Sequence, residues 1–146
     1  MLAVKDLMTK DVFTLRELDT LRTARSMMSL ARIRHIPIVS ENMDFKGLVT
    51  HRDILDATLS RFADVDKETQ DELDLGIPIR ELMRTDVHVV SPEAPLHDAI
   101  ETLLTHKYGC LPVLDKGKLV GIITEADFLK LTLRLMDTLS AQGIEI

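Results

Sequence analysis

The chain repeats itself, and that repetition constrains its fold more than any other feature. Displaced by 75 residues, Leu7-Met8 falls on Leu82-Met83, Asp11-Val12 on Asp86-Val87, Leu21 on Leu96, Ala24 on Ala99 and Pro37 on Pro112. One extra residue in the first copy then shortens the displacement to 74, which sets Gly47, Thr50, Asp53 and Leu55 on Gly121, Thr124, Asp127 and Leu129. Matches that keep one order over about 50 residues mean one supersecondary unit used twice. A chain of 146 residues has room for one module built from two such halves, not for two ordinary independent domains.

Both copies read the same way. Leu18, Leu21, Ala24, Met28 and Ala31 recur at helical spacing, as do Leu96, Ala99, Ile100, Leu103 and Leu104, so each set predicts an amphipathic helix with one buried stripe. Asp19 is the expected N-cap of the first helix, and Pro95 the first helical residue of the second. Each helix is followed by an apolar run containing proline, Ile36-Pro37-Ile38-Val39 or Leu111-Pro112-Val113-Leu114, a strand in which proline belongs at a start or edge. A turn and a second β-rich run complete a hairpin, a helix starts at Thr50 or Thr124, and a short leading strand precedes each copy near residues 12–15 and 87–90. The fold class is therefore α/β, two β-α-β-β-α repeats. Neither half can cover both faces of so small a sheet, so the copies are expected to pack on each other.

This gives a first repeat at residues 1–60, an acidic connector at 61–76, a second repeat at 77–132 and a C-terminal helical extension at 133–146. Leu55, Leu59 and Phe62 extend the last helix of the first repeat. In the final helix Phe128, Leu129, Leu131, Leu133, Leu135, Met136 and Leu139 spread over more than one face. Such a helix needs more cover than one small core provides, either from a second copy or by folding back on its own module.

Seven acids (Asp56, Asp64, Asp66, Glu68, Asp71, Glu72, Asp74) against Arg61 and Lys67 give the segment from Asp56 to Gly76 a charge of -5 out of the total of -6, leaving -1 elsewhere. The acidity thus marks a solvated connector, and the balance argues against duplex binding, which needs basic surface to neutralise phosphates. Cys110 is the only cysteine, so no intramolecular disulfide exists. Lys5 and Asp6 stand where a signal peptide would need an apolar run, and no stretch approaches the roughly 18 apolar residues of a membrane span. The expectation is a cytoplasmic protein with neither nucleic acid nor membrane as partner.

With these residues in place the chain resembles the CBS domain family, named after cystathionine β-synthase. Each copy carries a V-x-x-h-M-like opening (Val4 to Met8; Ile79 to Met83), the helix, an h-P-h strand and a closing G-h-h-T-x-x-D (Gly47 to Asp53; Gly121 to Asp127). The resemblance covers nearly all of the chain except the connector and the last helix. It implies a two-repeat module with an approximate two-fold axis and a cleft on each side of the shared sheet. Members commonly bind AMP, ADP, ATP, NAD or S-adenosylmethionine there, and two modules often pair into a disc.

Thr50-His51-Arg52-Asp53 and Thr124-Glu125-Ala126-Asp127 stand where a strand ends and a helix begins. Four unpaired N–H groups and the positive end of the helix dipole attract a phosphate there. The threonine hydroxyl can donate to a phosphate oxygen, and the aspartate can accept from two ribose hydroxyls. The same pattern is also a capping box, stabilising the helix start by about 1 kcal/mol with no ligand. Both roles can coexist. By the resemblance, one cleft combines Thr50 and Asp53 with Val90, Cys110 and Leu111, and the other combines Thr124 and Asp127 with Thr14, His35 and Ile36. Arg52 stands inside the first motif and Arg34 and His35 near the second cleft, and where these bases point decides how many phosphates are compensated.

His35, His51, His88, His97 and His106 show no metal-ligand spacing, and one cysteine makes no zinc cluster. Cys110 reads as a small buried residue and His51 as a solvent-exposed helix position. No Ser/His/Asp set, P-loop or G-x-G-x-x-G loop is present, so an enzyme reading has no residues to stand on. The expected function is a stand-alone regulatory module with no required cofactor. It takes an adenine nucleotide (AMP, ADP or ATP) or related adenosyl ligand, pairs as a homodimer and is read by a protein partner. The alternative is a ligand-free interaction module that dimerises with a partner protein, the Thr-x-x-Asp motifs serving as caps.

Overall fold

The computed structural model describes residues 1–62 and 66–146. The opening segment makes one helical turn, α1 (Val4–Leu7), and the first copy's amphipathic helix is α2 (Leu21–Ala31). Its N-cap is Thr20, whose hydroxyl accepts the Thr23 N–H, and not Asp19. The Asp19 carboxylate instead accepts the Arg16 N–H at 2.6 Å and closes the turn before the helix. Leu21, Ala24 and Met28 form the buried stripe, whereas Leu18 lies ahead of the helix and is exposed. Strands β1 (His35–Val39) and β2 (Phe45–Thr50) pair antiparallel, and α3 (His51–Phe62) leaves from the end of β2. The side chains of Leu59, Arg61, Phe62 and Asp71, and all of Asp64, lie outside the described residues.

The connector is more than a solvated tether. Asp66 caps α4 (Lys67–Leu75) by accepting the Thr69 N–H at 2.8 Å, a bond that lowers the Asp66 carboxyl pKa. Asp74 is fully buried, accepting from Arg25 Nε at 2.6 Å and from the Gln70 amide at 2.7 Å, so α4 is bonded to α2. Removing one partner of a buried pair of this kind costs about 3–5 kcal/mol.

In the second copy α5 (Leu96–His106) starts one residue later than expected, with Pro95 as its N-cap. Leu96, Ala99 and Leu103 are buried, but Leu104 points to solvent. Strands β3 (Cys110–Asp115) and β4 (Lys118–Thr124) form the second hairpin, followed by α6 (Glu125–Ala141). The leading strands contract to single parallel bridges, Leu15 with Ile38 and Val90 with Val113. In each the leading residue's N–H donates to a proline carbonyl (Pro37, 3.2 Å; Pro112, 3.0 Å) and its carbonyl accepts from two residues on. Neither bridge asks for a proline N–H, which is why these prolines sit inside strands rather than at their starts.

The chain divides into two compact units, Met1–Asp11 with Val89–Asp115 and Val120–Ile146, and Val12–His88 with Lys116–Leu119. The opening segment of each sequence copy is thus built into the unit that carries the other copy's hairpin. Thr9 bridges Ile122 by two hydrogen bonds of 2.8 and 3.0 Å, and Arg84 bridges Leu48 by two of 2.9 and 2.8 Å. These crossings account for the glycines of the repeated motif. A Cβ on Gly47 would lie 2.7 Å from the Arg84 carbonyl oxygen, and one on Gly121 would lie 2.7 Å from Met8 Sδ and 3.0 Å from the Thr9 carbonyl oxygen.

Each unit has its own core. One closes Leu21, Met28, Ile36, Ile38, Ile54 and Ile79 together, the other Val4, Leu96, Leu103, Leu111, Val113 and Ile123. Each such side chain contributes about 1.5–3 kcal/mol by leaving water. Phe128 and Leu131 turn one face of α6 onto the second of these cores, while Leu129, Leu133 and Met136 form a separate exposed face. Among the described residues no helix is long and apolar enough to cross a membrane.

Candidate functional site

At the end of β2 the Thr50 hydroxyl accepts the Asp53 N–H at 3.2 Å and donates to Asp53 Oδ2 at 2.9 Å, while the Thr50 N–H donates to the same oxygen at 2.9 Å. This is a complete capping box. The other carboxylate oxygen, Asp53 Oδ1, accepts from Arg84 Nε at 2.8 Å and faces Arg84 Nη2 at 2.7 Å. That contact raises the pKa of the Arg84 guanidinium. The second motif repeats the plan with a neutral partner. Asp127 Oδ2 accepts the Thr124 N–H at 2.8 Å and the Thr124 hydroxyl at 3.4 Å, and Oδ1 accepts the Thr9 hydroxyl at 3.0 Å.

The residues expected to meet in each cleft are drawn from both units. In one unit Thr14 and His35 are half-buried, Ile36 is a core residue, Thr50 is half-buried and Arg52 is exposed. In the other, Val90 and Thr124 are half-buried, Cys110, Leu111 and Asp127 are buried. The Ile36 and Leu111 side chains are committed to the cores, so main-chain atoms are what these two positions have to offer a ligand. Burial pushes the Cys110 thiol up to about 12, so it stays protonated and is no nucleophile at neutral pH.

A solvent-open pocket of about 390 Å³ lies between the end of α2 and the start of α3, lined by Arg25, Met28, Ser29, Arg32, Ile33, Arg34, His51 and Ile54. Three arginines and a histidine stand over the apolar Met28, Ile33 and Ile54. His51 is exposed, as expected, and lines this pocket, whereas Arg52 does not. Arg32 has a left-handed backbone (φ +54) at the C-cap of α2, a conformation that costs a non-glycine residue about 1 kcal/mol. Sequence reasoning singled out Arg34 but assigned it to the cleft of Thr124 and Asp127, whereas it lines a pocket beside the first motif; it missed Arg25, Ser29 and Arg32, because no motif marks a helix C-terminus as a binding surface. Thr9 and Arg84 were missed too, although they are equivalent under the 75-residue displacement.

The histidine spacings also conceal one grouping. His97, Asp98 and Glu101, in the first turns of α5, place one ligand atom each within 4.8 Å of one another, all exposed.

Two segments of the chain, residues 4–60 and 79–134, match the CBS domain. The chain belongs to the CBS domain family. This CBS pair is 30% identical over 141 residues to a CBS domain-containing protein of Dictyostelium discoideum, covering 96% of this chain and 97% of the relative. Its structure is similar to that of the Vibrio cholerae protein AcuB, whose name refers to acetoin utilization, at a TM-score of 0.81 and 37% identity over 97% of each chain. The fold is also that of CBSX2, solved in complex with AMP, at a TM-score of 0.77 and 24% identity over 92% of this CBS pair and 98% of that chain. The resemblance carried by the repeated motifs thus identified both the family and the mixed two-repeat fold.

Proposed function

We propose that this CBS pair is a non-catalytic, cytoplasmic regulator that binds an adenine nucleotide or related adenosyl ligand and signals through a change of conformation or assembly. The ligand class is AMP, ADP, ATP, NAD or S-adenosylmethionine. The observation that carries the reading is the cluster of Arg32, Arg34 and His51 over an apolar floor at the first turn of α3, the turn that Thr50 and Asp53 cap. Guanidinium groups beside a helix N-terminus favour phosphate. The complex of CBSX2 with AMP supports the ligand class.

In this reading Thr50, Arg52 and Asp53, with Thr124 and Asp127, serve ribose and phosphate. Thr14, His35, Ile36, Val90, Cys110 and Leu111 bound the base. Two copies pair through the exposed face of α6, and a partner protein reads the change, driven by tighter ligand binding to one arrangement. Calorimetry on nucleotide-free protein tests it. Heat with at least one of the five ligands, weakened about tenfold or more by Arg34→Ala, is expected; no heat with any of them overturns it.

A second reading has its own observation. Asp53 and Asp127 are fully engaged as caps, with partners for both oxygens. A ligand-free interaction module needs no more than this, and it predicts that substitutions at Asp53 and Asp127 change stability alone.

A further inference from the structure

We infer that the Arg25–Asp74 pair couples occupancy of the basic pocket to the docking of α4, so that an anion in the pocket loosens the connector helix; this rests on the phosphate reading of that pocket. Arg25 projects from the middle of α2 and serves two places at once. It lines the pocket, and its guanidinium holds Asp74 through Nε at 2.6 Å and Nη2 at 3.4 Å. Asp74 is the one fully buried residue among the described side chains of α4; Glu68, Glu72 and Leu75 are exposed and Leu73 only half-buried. Among the described side chains of α4, the one buried against α2 is thus a charged group rather than an apolar face.

That arrangement is bistable in a specific sense. Arg25 is paired with Asp74, while Arg32 and Arg34 form no hydrogen bond or ion pair with another described residue through their side chains. An anion bound between these arginines places a second negative charge on the guanidinium that Asp74 depends on. A buried carboxylate sharing its cation is costly, and hydration is the available relief. Hydration of Asp74 requires α4 to lift from α2. Linkage makes the effect reciprocal: docking of α4 must weaken anion binding by the same factor.

Hydrogen exchange of residues 67–75 in wild-type protein, with and without saturating inorganic pyrophosphate, is the direct test. Faster exchange there on pyrophosphate addition is expected. Calorimetry adds the reciprocal arm: Asp74→Asn, which removes the competing charge, should bind pyrophosphate about fivefold or more tightly than wild type. In Arg25→Gln the exchange of 67–75 should be fast already and insensitive to pyrophosphate. If pyrophosphate binds, and Arg34→Ala abolishes that binding, while exchange of 67–75 is unchanged or slowed, the coupling is wrong and the pocket reading survives. If wild type binds no pyrophosphate, both are overturned.

Discussion

Arg84 stands against Asp53 where Thr9 stands against Asp127: the two are equivalent in the sequence repeat, and each fills the Oδ1 of a Thr-x-x-Asp carboxylate whose Oδ2 closes the helix cap. One motif is thus locked by a charged partner and the other by a hydroxyl. Any competing donor at Oδ1 must displace a cation at the first motif and only a neutral hydroxyl at the second.

The Arg84 side chain is 60% exposed, so its ion pair is worth little in stability. Arg84→Thr, which copies the Thr9 arrangement, should cost less than about 1 kcal/mol. Asp53→Ala also strips the partner of the Thr50 N–H and hydroxyl, and should cost about 1–2 kcal/mol. Urea denaturation of the two variants measures the difference, and equal losses would show that the cap contributes nothing.

Gly47→Ala and Gly121→Ala separate two kinds of crowding. The new Cβ meets a backbone carbonyl at 2.7 Å in the first, and at the same distance the flexible end of Met8 in the second. Gly47→Ala should destabilise by about 1–3 kcal/mol, and Gly121→Ala by less, because Met8 can turn aside and the Thr9 carbonyl oxygen, at 3.0 Å, demands a smaller shift than the Arg84 carbonyl oxygen at 2.7 Å. Thermal denaturation decides the order.

Cys110 gives the pH dependence. Its thiol, raised by burial to about 12 from 9.0, keeps its proton in the folded state after the unfolded chain has lost it. The contribution is therefore fully present below about pH 9 and declines as the pH rises toward 12. At pH 8 a disulfide reagent should modify native Cys110 at least about a hundredfold more slowly than the urea-unfolded chain. Comparable rates would contradict the burial.

Leu129, Leu133 and Met136 face solvent on α6 while Phe128 and Leu131 serve the core. Leu129→Glu with Leu133→Glu should therefore change monomer stability by no more than about 0.5 kcal/mol per site and abolish self-association. Light scattering of wild type and variant at several concentrations checks this; a monomeric wild type, or a dimer of unchanged mass in the variant, would contradict pairing through this face.

Much of the fold was legible because periodicity and repetition report on burial. Leu21, Ala24 and Met28 recur at helical spacing and are buried; Gly47 and Gly121 recur because the same crossing happens twice. What escaped depends on partners distant in sequence. Nothing local distinguishes Asp74 from Asp66 or Glu72, yet Asp74 is buried because Arg25 comes 49 residues earlier on a facing helix. Thr20 displaced Asp19 as the cap because the Asp19 carboxylate closes the preceding turn. The Thr-x-x-Asp pairs were found from spacing, whereas the basic pocket depends on α2 ending against α3, a tertiary fact.

The most direct test of the central claim is a thermal-shift panel with AMP, ADP, ATP, NAD and S-adenosylmethionine on nucleotide-free wild type, Asp53→Ala and Asp127→Ala. A ligand at a hundred times its dissociation constant stabilises by about 2.7 kcal/mol, enough to move the Tm by several degrees. The account predicts such a shift with at least one ligand and its loss in at least one variant. No shift with any of the five, in protein that denatures cooperatively, would contradict it.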